Sequence, residues 1–212
     1  MFKRSKRVYI VGGDLSYSSM FLNQGWIVTN DLLEAQLVQF TGGSDVTPSF
    51  YNELKHPKTT SNLLRDKREK LIFNLCLKHN IAMAGICRGG QFLNVMNGGR
   101  MWQHVNNHAG VGTHKIVDML TGLSFTATST HHQMMIPTKN AKILGVAKES
   151  TSKEKIGKSG QILSMVGGPG RDAEVLFYSK SNSLCFQPHP EMAGFENLRD
   201  TYFKYISVYL NV

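Results

Sequence analysis

Apolar residues recur along this chain in two rhythms. Short aliphatic and β-branched runs at Arg7–Val11, 26–28, Leu37–Phe40 and 81–86 are each bounded by glycine or a turn-forming residue, the mark of buried strands. Between them lie helix-period segments. Residues 18–24 read as a short helix closed by Gly25, and Ser61 or Asn62 can cap a long one running to about His79. On that long helix Leu64, Leu71, Ile72, Leu75 and Cys76 share a face, while Arg65, Asp66, Lys67, Arg68, Glu69 and Lys70 fill the positions between them. A further helix, Arg88–Met96, starts immediately behind the strand at 81–86. Strand and helix in alternation predict an α/β fold, a parallel sheet covered on both faces.

From about Met101 to Gly170 the pattern changes. Gly, Thr, Ser and His dominate, with short β-prone runs at 115–117, 124–127, 142–146 and 161–166, so mixed or antiparallel additions are expected. Residues 174–178 and 184–187 read as paired strands around Ser181-Asn182-Ser183, and 197–210 as a closing amphipathic helix. The 212 residues fit one domain, 1–212, behind a basic tail at 1–6.

Composition narrows the class. With 41% hydrophobic and 18% charged residues, neither general disorder nor a fibrous architecture fits. No apolar run approaches the roughly 20 residues that cross a bilayer. The basic start is followed only by Val8-Tyr9-Ile10-Val11, too short for a secretory h-region, so a cytoplasmic protein without membrane attachment is expected. The net charge of +9 is concentrated at Lys3, Arg4, Lys6 and Arg7 and again at Lys148, Lys153, Lys155 and Lys158. Neither cluster interleaves aromatics, so both read as solvated segments and nucleic acid is not an expected partner. Three cysteines, Cys76, Cys87 and Cys185, form no CxxC and no even-numbered framework. Cys76 and Cys185 read as small buried hydrophobes. Cys87 does not.

Cys87 stands where the buried strand runs straight into the helix, flanked by Gly85 and Gly89. This is the pattern of a nucleophile elbow, a strained turn that exposes one side chain at the top of a sheet. The helix behind it directs its first amides toward the sulfur and favours the thiolate. A thiolate nucleophile needs a base, and the base an orienting group. Phe186-Gln187-Pro188-His189-Pro190-Glu191 offers both, with His189 held between two prolines and Glu191 projecting to the same side two residues on.

Together these residues resemble the class I glutamine amidotransferase superfamily. Gly85-Ile86-Cys87-Arg88-Gly89-Gly90-Gln91 and Gln187-Pro188-His189-Pro190-Glu191 carry the resemblance. Phe40-Thr41-Gly42-Gly43-Ser44-Asp45-Val46-Thr47-Pro48, Arg65-Asp66 with Glu69, and Thr130-His131-His132-Gln133 narrow it to the γ-glutamyl hydrolase branch, peptidase C26, similar to γ-glutamyl-γ-aminobutyrate hydrolases. The resemblance implies a flavodoxin-like three-layer α/β sandwich with a Cys87-His189-Glu191 triad. It further implies oxyanion donors at the backbone N–H groups of Gly43 and Arg88, and a glutamyl pocket bordered by Gly42, Gln91, His132 and Gln133. The implied chemistry is cleavage of the γ-amide of glutamine or a γ-glutamyl amine through a γ-glutamyl thioester. The alternatives are a glutaminase component supplying ammonia to a separate synthetase subunit, or a catalytically silent binding module. A homodimer is compatible with either. Pro188, Thr130 and His104 depart from the branch's usual residues, so the released amine is not carried over.

Eight histidines raise a metal reading. His104 and His108 are spaced i, i+4, with His114, His131 and His132 following. Asn106, Asn107 and Gly110 make that stretch a loop, and no acidic residue completes a ligand motif. The expectation is therefore ordinary loop histidines, one of them touching substrate, with no metal and no cofactor.

Overall fold

The computed structural model describes residues 5–150, 152–157, 162–164 and 172–212. In chain order the strands are β1 (Arg7–Val11), β2 (Ile27–Val28), β3 (Leu37–Phe40), β4 (Ala82–Ile86), β5 (Arg100–Trp102), β6 (His104–Val105), β7 (Ala109–Asp118), β8 (Ser124–Thr130), β9 (Met134–Ile136), β10 (Lys142–Ala147), β11 (Glu154–Ile156), β12 (Ile162–Ser164), β13 (Ala173–Tyr178) and β14 (Ser183–Phe186). The helices are α1 (Leu15–Leu22), α2 (Leu63–His79), α3 (Arg88–Met96) and α4 (Glu196–Tyr209).

Strands β2-β1-β3-β4-β14 lie side by side and parallel. This is the flavodoxin-like order, in which ligands collect outside the carboxyl ends of the strands. Beyond β14 the same sheet continues antiparallel through β13, β10, β7 and β8, with β9 attached to β13 and β5 to β9. The expected antiparallel additions thus extend one edge of the parallel core. A second small sheet joins β12, β11 and β6. The β-prone run at 161–166 is described only at β12; its other residues, like Lys158 of the basic loop, lie outside the described residues.

Side-chain alternation on the strands sorts the core into two layers. Leu184 and Phe186 of β14 face α1 and α4 with Phe21, Trp26, Tyr202 and Ile206. Cys185 between them faces α2 and α3 with Phe73, Phe92 and Leu93. The parallel strands fall where expected, whereas β5, β6, β9 and β11 were not expected, and the stretch read as loop places His104 on β6 and Gly110 on β7. Three further readings need correction. α1 begins at Leu15 rather than residue 18, because the Asp14 side chain accepts from Ser16 N–H at 2.9 Å and caps it. Asn62 caps α2 as expected, accepting from Arg65 N–H at 3.0 Å. The face of α2 is not the leucine face. Leu64, Leu71 and Leu75 are exposed, and the buried positions are Asp66, Glu69, Phe73 and Cys76. The helix is turned because its two carboxylates meet the buried guanidinium of Arg88. Lys155, expected in a solvated loop, is likewise buried on β11 and ion-paired with Asp172.

Candidate active site

Three strand ends converge on the candidate site. β3 delivers Thr41-Gly42-Gly43, β4 delivers Cys87 and β14 delivers Gln187-Pro188-His189. Cys87 has φ 50° and ψ −114°, a left-handed backbone at a non-glycine residue, as an elbow requires. Its N–H donates to Phe186 O at 2.8 Å and its C=O accepts from Gln91 N–H at 3.0 Å, which fixes the turn between sheet and helix. The flanking glycines have a steric reason. A Cβ on Gly85 would lie 2.3 Å from the Gly89 carbonyl, and one on Gly89 would lie 2.3 Å from Phe40 O. Only a bare backbone lets α3 start this close to β3 and β4.

His189 is positioned by its own N–H, which donates to Thr128 Oγ1 at 2.8 Å, and by its ring, whose Nδ1 pairs with Glu191 Oε1 at 2.6 Å. That leaves Nε2 free of Glu191, and the ring shares the space beside Gly42 with Cys87: a Cβ on Gly42 would lie 3.1 Å from His189 Cε1 and 3.9 Å from Cys87 Cβ. Burial works against an imidazolium here, yet the hydrogen bonds to Cys87 and Glu191 outweigh it, and the His189 pKa is pushed up to about 10. Tyr17, which sequence reasoning passed over, closes the far side. Its hydroxyl accepts from Gly42 N–H at 3.0 Å and faces Glu191.

A raised imidazole pKa is also a statement about stability. The ordinary value is 6.5, so the contribution of the charged ring is fully present below about pH 6.5 and lost as pH rises through about 10. Wild type should therefore exceed His189→Gln in denaturation midpoint at pH 6, with the difference shrinking steadily toward pH 10. A difference that stays flat across that window would contradict the pairing.

Beside the sulfur lies a cleft of about 140 Å³ lined by Gly43, Asp45, Cys87, Arg88, Gln91, Thr130, His131, His132 and Gln133, among others. Gly43 (φ 133°) and the first residue of α3, Arg88, border it together. Gly42 instead packs against the triad candidates: a Cβ there would lie 3.1 Å from His189 Cε1 and 3.1 Å from Tyr17 Oη. Gln91 and Gln133 are buried in the wall. Gln91 Nε2 donates to Gln187 Oε1 at 3.1 Å and to Gln133 O at 3.3 Å, and Gln133 Nε2 donates to Gln103 O at 3.0 Å. His132 is the half-exposed group of the set, its Nε2 3.0 Å from Asp45 Oδ1; that hydrogen bond holds its pKa above the ordinary value.

The loop after β3 is tied down from behind. Arg65 donates to Gly42 O and Thr41 O, each at 3.0 Å, and to Glu69 Oε1 at 2.7 Å. Asp66 Oδ2 accepts from Thr47 N–H at 2.8 Å. The other oxygens of Asp66 and Glu69 hold the Arg88 guanidinium, which also lies 5.0 Å from the Phe92 ring centroid. One charged network thus fixes the loop carrying Gly43 relative to the helix start carrying Cys87 and Arg88.

The histidine expectation is overturned in part. His108, His114 and His131 are not ordinary loop histidines: their side chains are 0%, 6% and 2% exposed, and His114 lies on β7. They close around Glu174 of β13, an acidic partner too distant in sequence to form a recognisable motif. Burial pushes His131 down to about 4, so its ring is neutral.

The sequence model of the Peptidase C26 family matches residues 29–156. The glutamine amidotransferase-like protein YvdE of Lactococcus lactis is 30% identical over 172 residues, covering 77% of this chain and 69% of YvdE. Protein NtpR of Enterococcus hirae is 40% identical over 68 residues, 32% of this chain but only 28% of NtpR. Among solved structures, a glutamine amidotransferase from Thermotoga maritima superposes with a TM-score of 0.61 at 16% identity, covering 97% of this chain and 85% of that one. A chain of PurLQS from Thermotoga maritima gives 0.67 at 11% identity, covering 96% and 99%. At such identities the structural likeness concerns the fold alone. The family match spans more than half of the sequence and includes the elbow, and YvdE, aligned over more than two thirds of both chains, agrees with it, so the chain belongs to the Peptidase C26 family.

Proposed function

We propose that this chain is a cysteine-nucleophile hydrolase of the glutamine amidotransferase type that cleaves γ-glutamyl amide bonds. The observation that carries the reading is the line from the strained Cys87, through the His189 ring, to Glu191 at 2.6 Å. The family and the name of YvdE support an enzyme of this type.

In this reading the Cys87 sulfur attacks the γ-carbonyl, and the S–C bond forms as the thiol proton resides on His189. The oxyanion is received by the N–H groups of Gly43 and Arg88, donors fixed before charge develops. Collapse breaks the C–N bond, and the His189 imidazolium gives its proton to the departing amine. Water then adds to the thioester with His189 as base, the C–S bond breaks, and glutamate leaves while the proton returns to the sulfur. Glu191 keeps the ring in the tautomer that serves the sulfur. His132 and Asp45 border the cleft, while Gln91 and Gln133 set its wall.

The test is glutamate release from glutamine and a panel of γ-glutamyl amines by the purified chain alone. Partner-independent turnover of at least one γ-glutamyl amine is the expected result. Turnover of glutamine only, and only when a synthetase subunit is added, would replace this reading with that of an ammonia donor. Silence toward every substrate with and without a partner would leave a binding module.

A further inference from the structure

Among the described residues, a group of side chains placed to hold a metal ion lies inside the antiparallel half of the sheet. His108 immediately precedes β7, His114 lies on β7, His131 follows β8, and Glu174 lies on β13, where the pairing with β10 slips at Gly145. Irregular pairing of this kind re-aims side chains toward a common point. One ligand atom from each of His108, His131 and Glu174 falls within 4.8 Å of the others. His114 Nε2 is 3.2 Å from Glu174 Oε1, and His131 Nε2 is 3.9 Å from Glu174 Oε2. The ring centroids of His108 and His131 are 4.8 Å apart, and those of His108 and His114 are 5.5 Å apart.

These groups are buried and poorly satisfied. Both nitrogens of His108 and of His114, Nε2 of His131 and both oxygens of Glu174 lack aligned hydrogen bonds among the described residues. Native interiors seldom leave so many polar atoms in one place without a purpose, since each costs on the order of 1–3 kcal/mol. The surroundings are organised in the way a metal shell is. His131 Nδ1 lies 2.9 Å from Gln133 O, so donating there leaves Nε2 with a lone pair toward the cluster. His108 Nε2 lies 3.6 Å from Asp172, whose carboxylate is itself occupied by Lys155 and by Ser150 Oγ at 2.6 Å. Asp172 can therefore orient a ring, while Glu174 remains the carboxylate available to an ion.

We propose that His108, His114, His131 and Glu174 bind one divalent cation of the zinc class as a closed structural site. Three imidazoles and one carboxylate suit a borderline first-row ion and not the all-oxygen preference of Mg²⁺ or Ca²⁺. Tetrahedral donors at about 2.0–2.2 Å from zinc stand roughly 3.4 Å apart, so the His108, His131 and Glu174 atoms, now within 4.8 Å of one another, would close by up to roughly 1.4 Å when filled, with His114, already 3.2 Å from Glu174, turning in as the fourth donor. Four protein donors leave no position for water, which makes the site structural. What it fixes is clear from the backbone. Glu174 O accepts from Gln187 N–H at 2.9 Å, and Ser129 Oγ donates to His108 O at 2.8 Å, one residue from the Thr128 that holds His189 N–H. The cation would pin the three segments that support the His189 turn.

The proposal does not rest on the chemistry of Cys87, and its test separates the two. Chelator-stripped protein incubated with Zn²⁺ and dialysed should retain about one equivalent by elemental analysis, and Zn²⁺ but not Mg²⁺ should raise its Tm by several degrees. Co²⁺ substituted into wild type should give the intense visible absorption of a four-coordinate site. His108→Ala and Glu174→Gln should each lose the bound equivalent, while Cys87→Ala keeps it. Retention of zinc in His108→Ala, or its loss in Cys87→Ala, would place the ion elsewhere and overturn the proposal. Should the cluster variants fail to fold, wild type decides: no stoichiometric zinc and no four-coordinate cobalt spectrum is a negative answer.

Discussion

Replacing Cys87 with alanine should lower γ-glutamyl amide turnover by about four orders of magnitude or more, with circular dichroism and Tm close to wild type. The size follows from the division of labour in the site. Under the proposed mechanism no thioester forms without the sulfur, and His189 and the N–H donors are left to assist only a direct attack by water. The fold should tolerate the change because the thiol is only partly buried, and the turn is held by backbone bonds to Phe186 and Gln91 that alanine keeps. The same backbone supplies a sharper comparison. At φ 50° a side chain costs on the order of 1–3 kcal/mol relative to glycine, so Cys87→Gly should be as inactive as Cys87→Ala yet more stable. Alkylation gives the complementary measurement. Cys76 and Cys185 are fully buried and burial pushes their thiols up, Cys76 to about 12, so iodoacetamide should label Cys87 first and stop turnover in proportion. Activity that survives Cys87→Ala, or a first label on Cys76, would remove the cysteine from the mechanism.

The elbow was legible in the sequence because its requirements are local. A buried run, a cysteine and glycines at both second neighbours specify one backbone geometry, and the structure places Cys87 between β4 and α3 accordingly. His189 and Glu191 were legible for a similar reason, since two prolines and an i, i+2 spacing set their relation, although only folding brings them to the sulfur. Gly43, Arg88, Gln91, His132 and Gln133 line one cleft, while Gly42 lies outside its lining. What could not be read was burial decided by a distant opposite charge. Asp66 and Glu69 sit among Arg65, Lys67, Arg68 and Lys70, and by composition the stretch belongs to solvent. Arg88, 22 and 19 residues away, draws the two carboxylates inward and leaves Leu64 and Leu71 outside. Lys155 with Asp172, and His114 with Glu174, repeat the lesson. Hydropathy periodicity reports the average preference of a side chain, and these residues are buried by their partners. Tyr17 was missed on other grounds: a tyrosine on a short helix carries no mark of its hydroxyl meeting the Gly42 N–H.

Arg88→Ala should destabilise the chain by about 3–5 kcal/mol, the usual result of removing one side of a buried charged pair. Its side chain is 2% exposed, and the Asp66 and Glu69 side chains are 0% and 3% exposed. Without the guanidinium, Asp66 keeps only its bonds from Thr47, and Glu69 keeps only Arg65. Each is then a carboxylate with one oxygen orphaned in the interior. Lysine should not rescue the loss, because a single ammonium cannot span two carboxylates as the planar fork does. The effect on catalysis should be distinct from the effect on stability. The N–H of residue 88 survives any side-chain change, so turnover should fall only through misplacement of α3 against the Gly43 loop. That predicts a loss in kcat larger than the change in KM, since donors to a developing oxyanion act in the transition state. The controlling comparison is a double-mutant cycle. Asp66→Asn removes the charge that Arg88 neutralises, so Arg88→Met combined with Asp66→Asn should cost less than the two single changes added together, by about 1–3 kcal/mol. Additive losses would mean that Arg88 and Asp66 act independently. The guanidinium would then be a packed side chain and not the joint that holds the nucleophile's helix to the loop opposite it.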